Sequence, residues 1–436
     1  MNPEPLQASD HEPVEKVVLL VHGHPDYSAG GGEMAAYSLF KALQTRGPDR
    51  TWLISAITEE RARGDQDGRM IRVDGASDHE WAFVAQGSDW PDFRAASAEA
   101  MARELIPFLQ AIAPDVVHVH HYLIFGVDLL RLLRRALPRA RLVMTIHEFL
   151  AICARDGQML TRPGETLCGK ASPVRCTGCY PELARADVWR REQWFKRHLA
   201  LVDQFTAPSA FARRRHVEWG LDPARIAVVP NAQIAAARPV APEEPPRSDK
   251  VVFGFFGQIN PYKGVDVLLG AAERLRALTD RPFEVQVHGV IQRHQPGLAE
   301  SLAARFEALT PQVIYRGAYD GARVIELMRG VDYVVTPSIW WENSPVVIEE
   351  AFHARRPVIC ADIGGMAEKV EDGVNGLHFH ARDPEALAQV MWRCVQDSGL
   401  ARRLGAGARR LPSLEESDRA YRAIYRGARP QEQERR

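Results

Sequence analysis

The sequence predicts an α/β protein built from two doubly wound, Rossmann-like domains, and three observations lead to that fold class. The chain has 436 residues, whereas about 100–200 residues usually organise one core. Short β-branched runs alternate with amphipathic segments of helix length, as in parallel sheets covered by helices on both faces. The stretch AARPVAPEEPPRSD breaks this alternation with proline and charge, which predicts a linker between two series of elements.

In the first series, short apolar runs predict strands and longer segments with one apolar face predict helices. The predicted strands are residues 16–21, 51–57, 116–119, 142–146 and 205–208. The predicted helices are residues 33–45, 96–112 and 129–137.

The second series repeats this layout after the linker. Its predicted strands are residues 251–256, 283–287, 313–315, 333–336 and 357–360. Its predicted helices include residues 265–277 and 346–353.

These elements give a domain plan. It consists of a disordered N-terminus at 1–15, an N-terminal domain at 16–210 with a cysteine-rich insert at 151–181, a linker region at 211–250, a C-terminal domain at 251–410, and a helix and tail at 411–436. We expect the last helix to return to the N-terminal domain.

Composition excludes several classes of protein. The chain is 46% hydrophobic and 25% charged, with 55 Lys and Arg residues against 56 Asp and Glu residues, as in ordinary globular proteins. Global disorder and the basic excess of a nucleic-acid-binding protein are therefore not expected. No stretch approaches the ~18 apolar residues of a membrane span, so any membrane contact is expected to be peripheral.

The N-terminus and the cysteines bear on location. The first residues are acidic and precede only a short apolar run, which predicts no signal peptide. Six cysteines in a chain of this length favour a reducing cytoplasm over a secreted disulfide scaffold.

Two loops that follow predicted strands could bind an anion. In HGHPDYSAGGGE, Gly30, Gly31 and Gly32 open onto a predicted helix that starts near Glu33, and free amides at a helix start favour phosphate. In GQINPYKG, Lys263 precedes a second helix and could neutralise a diphosphate. The alternatives are a flexible turn without a ligand and a solvated surface lysine.

The segment TPSIWWENSPVVIEEAFHARRPVI carries two carboxylates at a loop-to-helix boundary. Ser344 and Pro345 predict a helix start, which leaves Glu342 in the loop and Glu350 on the helix. Both could face one cleft and accept hydrogen bonds from hydroxyl groups, as polyol recognition requires. A general acid/base pair is the rival interpretation. Glu349 diverges from its neighbour by about 100° around the helix and cannot share that face.

The insert has the spacing C-x₁₄-C-x₇-C-x₂-C, at Cys153, Cys168, Cys176 and Cys179. Its terminal C-x₂-C is a two-ligand chelate, and two more thiolates would complete a structural zinc site. The alternatives are unligated thiols and, less favoured, a redox role.

Together these motifs resemble the family 4 retaining glycosyltransferases over about residues 16–425. The matching features are GGGE at 30–33, Lys263-Gly264, Glu342-x₇-Glu350, VVPN at 228–231 and GGMAEKVEDGVNG at 364–376. The resemblance implies a GT-B fold, with two domains facing each other across a cleft. It also implies a UDP- or GDP-linked sugar donor held by the C-terminal domain, and a glycan or lipid-linked acceptor bound by the N-terminal domain. Transfer would retain the anomeric configuration and need no catalytic metal.

The resemblance also implies residue roles. Glu350 would bind the ribose hydroxyls of the nucleotide, and Glu342 would contact hydroxyls of the donor sugar. The backbone of Gly30 and Gly31 would approach the diphosphate. Lys263 would stabilise the charge of the leaving group.

His147 matches the family histidine beside the transferred sugar, although a strand-end histidine with a structural role is the alternative. Gln258 departs from the family, which usually has an arginine five residues before the lysine. An amide can donate hydrogen bonds to phosphate but supplies no charge, so Lys263 would carry more of the charge. Two alternatives stay open: a nucleotide-sugar epimerase of the same fold, and a nucleotide-sugar-binding protein without turnover.

Two groups of arginines could rest on anionic lipid headgroups. The first is interleaved with or follows the leucines of the predicted helix 129–137, and the second lies at 213–215; the first comprises Arg131, Arg134, Arg135, Arg139 and Arg141. The alternative is a solvated helix face.

Overall fold

The structure is a computed structural model that describes residues 15–27, 30–62, 67–162, 164–234, 249–292 and 297–427. It confirms the predicted α/β class, with two largely parallel sheets whose strands alternate with helices. Most of the predicted N-terminus, the linker core at 235–248 and the tail from 428 onward lie outside the described residues.

The first sheet has eight strands in the order β10-β9-β8-β7-β1-β2-β4-β3, and β5 and β6 form a separate antiparallel pair. The strands are β1 Val17–Val21, β2 Thr51–Ile57, β3 Met70–Arg72, β4 Glu80–Val84, β5 Ser88–Asp89, β6 Arg94–Ala95, β7 Val116–Val119, β8 Arg141–Thr145, β9 Gln204–Ala207 and β10 Ile226–Val228. Neighbours of β1, β2 and β7 pair in parallel, whereas β3 is antiparallel to β4. The strands β3 to β6 and β10 were not among those predicted.

The second sheet has six parallel strands in the order β13-β12-β11-β14-β15-β16. They are β11 Val251–Phe256, β12 Phe283–His288, β13 Val313–Gly317, β14 Tyr333–Thr336, β15 Val358–Ala361 and β16 Gly376–Phe379. Numbered within the sheet, this is the doubly wound order 3-2-1-4-5-6. The order reverses between β11 and β14, and ligands of such sheets bind beyond the carboxyl ends of the strands at that point.

Helices connect the strands. They are α1 Gly31–Gln44, α2 Glu59–Ala62, α3 Ala98–Ala100, α4 Ile106–Ile112, α5 Leu129–Ala136, α6 Pro173–Cys179, α7 Arg185–Leu199, α8 Ala210–Trp219, α9 Val265–Leu278, α10 Leu298–Ala308, α11 Val324–Arg329, α12 Val346–His353, α13 Gly364–Lys369, α14 Pro384–Gln396, α15 Leu400–Ala406 and α16 Leu414–Tyr425. The single helix predicted at 96–112 is instead α3 and α4 joined through a π-helical segment, Met101–Leu105.

The strands are buried because helices cover both faces of each parallel sheet. All five residues of β1 are buried, and in the second sheet β14 and β15 are buried throughout. Continuous apolar runs, rather than alternating ones, are therefore the sequence signal of these strands.

The chain divides into two compact units. The first comprises residues 1–145, 195–205 and 414–436, and the second comprises 146–194 and 206–413. The C-terminal helix α16 belongs to the first unit, where Arg422 Nη2 donates to Leu43 O at 3.1 Å and Tyr425 OH contacts His118 Nδ1 at 2.9 Å.

The unit boundaries correct one part of the domain plan. The insert, predicted within the N-terminal domain, lies in the second unit. Its backbone contacts explain this, because Trp341 Nε1 donates to Cys168 O at 3.1 Å and an Arg382 guanidinium donates to Glu165 O. Within the described residues, no helix is both long enough and apolar enough to cross a bilayer.

Candidate functional site

Lys263 is held by the turn that follows β11. Asn260 Oδ1 accepts hydrogen bonds from the backbone N–H groups of Tyr262 and Lys263 at 3.0 and 3.1 Å. This side-chain cap forms the short 3₁₀ turn Pro261–Lys263, and α9 begins directly after Gly264. The position of the lysine is therefore fixed by its own loop.

Gly264 brings this loop against the loop that follows β14. Its φ is +71°, and a Cβ at this position would lie 1.9 Å from Pro337 O. A second contact, from Ile339 N to Tyr262 O at 2.9 Å, joins the same two loops. The two strands at the reversal point of the sheet thus present their loops side by side.

Glu342 is the centre of this arrangement. Three groups donate to its Oε1: Lys263 Nζ at 2.6 Å, Ser338 Oγ at 2.8 Å and Trp340 Nε1 at 2.8 Å. Burial raises the pKa of Glu342, but these partners, Lys263 first, hold it below its usual value. Glu342 is therefore a carboxylate at neutral pH, and its Oε2 takes no part in these three bonds.

The two adjacent glutamates of α12 have different surroundings, as the helix geometry predicts. Glu349 is buried, forms an ion pair with Lys369, and accepts from Gln233 Nε2 at 2.7 Å. No hydrogen bond or ion pair from the described residues reaches the Glu350 carboxyl group, and burial raises its pKa to about 7. Glu349 is thus held in place by other residues, whereas Glu350 has capacity for a ligand.

Unsatisfied polar atoms lie just before α12. Asn343 Oδ1 and Ser344 Oγ are buried and have no hydrogen-bond partner among the residues that the structure describes, which in a native structure calls for an explanation such as a ligand. The helix begins at Val346, as the predicted range 346–353 has it, but its N-cap is Pro345 rather than the predicted Ser344. The Ser344 hydroxyl consequently does not cap the helix.

The glycine pair of the GGMAEK segment packs against this same loop. Gly365 N donates to Glu342 O at 2.7 Å. A Cβ on Gly365 would lie 1.8 Å from Asn343 O, so only glycine fits. The pair therefore fixes the backbone of residues 342 and 343.

His147 and Glu148 follow β8. The His147 carbonyl accepts from Asn343 Nδ2 at 2.6 Å. The backbone of the predicted histidine thus contacts the residue that follows Glu342. Burial raises the pKa of Glu148 to about 8, with Arg191 acting against it. Sequence reasoning did not single out Glu148, although it directly follows a predicted site residue.

The remaining predicted residues, Gln258, Gly30 and Gly31, make no contact with Glu342 among those described above. Gln258 is exposed, and its Oε1 accepts from Gln292 Nε2 at 2.7 Å. Gly30 and Gly31 belong to the first unit, where Gly30 is the N-cap of α1 and a Cβ on Gly31 would meet no atom of the described residues within 4 Å. The backbone of Gly31 is thus open to close approach.

Ser338, Trp340, Asn343 and Tyr262 were also missed as site residues. Tyr262 stacks on Trp340, with ring centroids 5.6 Å apart. All four lie within the two loops that the motifs marked, so their sequence position was the available signal.

The four cysteines of the insert line one cavity of about 310 Å³. They are free thiols, each partly exposed. Among the described residues, no group of three or more His, Cys, Asp or Glu side chains is arranged to hold a metal ion as it stands, so the predicted zinc site is not preformed. Burial raises the pKa of Cys153 to about 11 and also raises that of Cys176, which disfavours a reactive, redox-active thiolate.

Two family models match this chain. Residues 29–232 match the model described as Glycosyltransferase Family 4, and residues 250–397 match the model described as Glycosyl transferases group 1.

Curated relatives carry a common name. The D-inositol 3-phosphate glycosyltransferase of Jonesia denitrificans is 29% identical over 309 residues, covering 68% of this chain and 67% of the relative. The protein of the same name from Geodermatophilus obscurus is 33% identical over 318 residues, covering 68% and 62%. The chain thus spans about three-fifths to two-thirds of the length of these relatives.

Solved structures share the fold. HepE from Anabaena, in complex with UDP and glucose, has a TM-score of 0.65 at 17% identity, covering 94% of this chain and 99% of that one. Sucrose-phosphate synthase from Thermosynechococcus elongatus has a TM-score of 0.69 at 17% identity, covering 94% and 98%. At such identities the likeness shows the fold alone, and it confirms the GT-B fold class.

Proposed function

Because the chain belongs to the family 4 glycosyltransferases, which the two matching models identify over most of its length, we propose that it transfers a hexose from a nucleoside diphosphate sugar. The acceptor is a hydroxyl group of a glycan or lipid-linked glycan, and the anomeric configuration is retained. The names of the curated relatives support testing inositol 3-phosphate as an acceptor as well.

The observation that carries this proposal is the cluster around Glu342. Lys263, the Glu342 carboxylate, and the Asn343 Oδ1 and Ser344 Oγ atoms that find no partner among the described residues all lie at the reversal point of the second sheet. A neutral small molecule would not need the lysine, and a simple anion would be repelled by the carboxylates. A sugar diphosphate suits both kinds of group, because its hydroxyls can donate to the carboxylates and its negative charge can pair with the lysine.

Each residue then has a role. Lys263 stabilises the charge that develops on the leaving diphosphate, and Glu342 Oε2 accepts from hydroxyls of the sugar. Glu350 accepts from the ribose hydroxyls. His147 stands beside the transferred sugar, and Gln258 donates to phosphate without adding charge. The roles of Gly30 and Gly31 at the diphosphate stay predictions, as does the cytoplasmic setting.

Transfer would proceed without a catalytic divalent cation. The sequence supports this, because Lys263 can supply the positive charge at the diphosphate that a metal ion would otherwise supply. Preorganised charge and positioning would then provide the rate enhancement.

A thermal-shift screen of UDP- and GDP-sugars tests the sugar donor, because a ligand of the native state raises the melting temperature. Glu350→Gln should lose most of this shift, whereas Glu273→Gln, an exposed glutamate on α9, should keep it. Radiolabelled transfer to glycan, lipid-linked and inositol 3-phosphate acceptors then tests turnover. The anomeric coupling of the product, measured by NMR, tests retention, and an inverted product contradicts it.

The two alternatives give other results in the same assays. A nucleotide-sugar epimerase would convert the sugar donor without any acceptor, and the family models argue against it. A binding protein without turnover would show the thermal shift but release no nucleoside diphosphate with any acceptor.

A further inference from the structure

We propose that the cysteine-rich insert holds one zinc ion on the thiolates of Cys153, Cys168, Cys176 and Cys179. The site is separate from the residues that we assign to the sugar donor, and its existence does not rest on the proposed function. Each ligating thiol would release its proton to solvent as the ion binds.

The first support is convergence. The four side chains come from three separate parts of the insert, yet all line one cavity. Cys176 and Cys179 lie on α6 three residues apart and so share one helix face. Cys153 and Cys168 both pack against the small apolar cluster of Phe149, Ile152, Met159 and Phe211. Two pairs of thiols thus face a common space.

The second support is charge. A zinc ion with four thiolates carries a net charge of −2, and such a centre needs positive neighbours. Arg155, Arg162 and Arg175 line the same cavity. Arg155 forms an ion pair with Glu165 at 2.9 Å, whereas no acidic partner for Arg162 or Arg175 occurs among the described residues. The backbone N–H of Arg162 also donates to Cys179 Sγ at 3.3 Å, a bond that would stabilise a thiolate.

The third support is the shortage of apolar burial in the second half of the insert. Of the described residues from 161 to 179, none is buried. Ordering such a stretch costs conformational entropy that little apolar burial offsets. A metal ion is the kind of internal link that small segments of this sort use.

The cavity is larger than an ion with four sulfur ligands requires, since Zn–S bonds are about 2.3 Å long. Metal binding would therefore have to contract the insert, because no ligand set among the described residues is arranged to hold an ion as it stands. Loss of the ion should accordingly make the insert easier to cleave by proteases.

Contraction would act on the loops of the candidate site. Arg155 Nη2 donates to Tyr262 OH at 3.3 Å, beside Lys263, and Cys168 O accepts from Trp341, beside Glu342. The cysteines are thus positioning residues for both loops. This consequence, unlike the metal site itself, rests on the proposed function.

Elemental analysis of the untagged full chain, purified without chelators, tests the proposal. We expect about one zinc ion per chain, retained in Cys394→Ala, which removes a buried cysteine of α14, and reduced several-fold in Cys176→Ser and Cys153→Ser. Cobalt substitution of the wild-type protein should give the thiolate-to-metal absorption and strong visible bands of a tetrahedral sulfur site, so the test holds even if a variant fails to fold.

Several outcomes would overturn the proposal. These are less than about a tenth of a zinc ion per wild-type chain, disulfides among the four cysteines by mass spectrometry, or equal zinc content in Cys176→Ser and the wild type. Because none of these readouts depends on transfer activity, a failure of the proposed function would leave the metal result intact, and the reverse also holds.

Discussion

Replacing Lys263 by methionine tests the charge that we assign to the leaving group. Methionine keeps an unbranched side chain but removes the ammonium that lies 2.6 Å from Glu342 Oε1. Loss of one preorganised charge at a developing anion costs about 2–4 kcal/mol, or about 30- to 1,000-fold in turnover. We therefore expect kcat to fall within that range.

The same substitution should also destabilise the protein, for a separate reason. Glu342 is 9% exposed, and without Lys263 the cost of burying its charge is offset, among the described residues, only by the hydrogen bonds from Ser338 and Trp340. Breaking a buried ion pair costs about 3–5 kcal/mol, and the partial exposure of Lys263 places the expected loss nearer about 2 kcal/mol.

A double variant separates these effects. Lys263→Met with Glu342→Gln removes both charges, so the free energy of unfolding should recover while turnover stays low. Lys250→Met is the matched control, because this lysine also pairs with a glutamate in the second unit, at Glu284, but lies outside the candidate site. Its turnover should stay within about two-fold of wild type.

The assays are steady-state transfer kinetics and urea unfolding followed by circular dichroism. Wild-type turnover in a folded Lys263→Met variant would refute the assignment. Recovery of turnover in the double variant would refute it too, since the lysine would then act only by neutralising Glu342.

Four further predictions use simpler measurements. Because burial raises the pKa of Glu350 to about 7, its side chain is a carboxylate, able to accept from ribose hydroxyls, only above that pH. The affinity for UDP or GDP, measured by calorimetry, should therefore fall as the pH drops from about 8 to about 6. Glu350→Gln should abolish this pH dependence. Because the pKa is raised on folding, the stability that Glu350 contributes is fully present below about pH 4.5 and is lost as the pH rises through about 7. If the difference in free energy of unfolding between Glu350→Gln and the wild type does not change over that range, the raised pKa is contradicted. Transfer should survive EDTA once any tightly held zinc is shown to remain, and loss of activity restored by Mg²⁺ or Mn²⁺ would contradict metal independence. Gly264→Ala should lower stability by more than about 1 kcal/mol because of its positive φ and the Pro337 contact. Gly321→Ala should be close to neutral, because a Cβ there meets no atom within 4 Å in the part of the chain that the structure describes.

Much of the fold could be predicted because parallel strands buried on both faces leave continuous apolar runs. Residues 51–57, 116–119, 251–256 and 333–336 were predicted with the bounds that the structure gives. The short strands β3 to β6 leave no such signal, since two to five residues with mixed polarity do not form a clear period.

Tertiary packing explains the remaining differences. The π-helical segment Met101–Leu105 depends on packing that a helical period does not encode. The insert follows a strand of the first sheet in sequence but bonds to the loops of the second unit, and chain order alone could not reveal this. Pro345, and not Ser344, is the N-cap of α12, although serine is a residue type that favours that role.

The candidate site shows why motif residues could be found while their partners could not. Lys263 and Glu342 are 79 positions apart, and nothing local in the sequence states that they form an ion pair. The pairing depends on two contacts that exclude a side chain, Gly264 against Pro337 and Gly365 against Asn343. These glycines therefore act by letting backbones meet rather than by binding a ligand. Since each contact fixes one loop at the carboxyl edge of the sheet, a change at either glycine should displace a charged group that it does not itself touch.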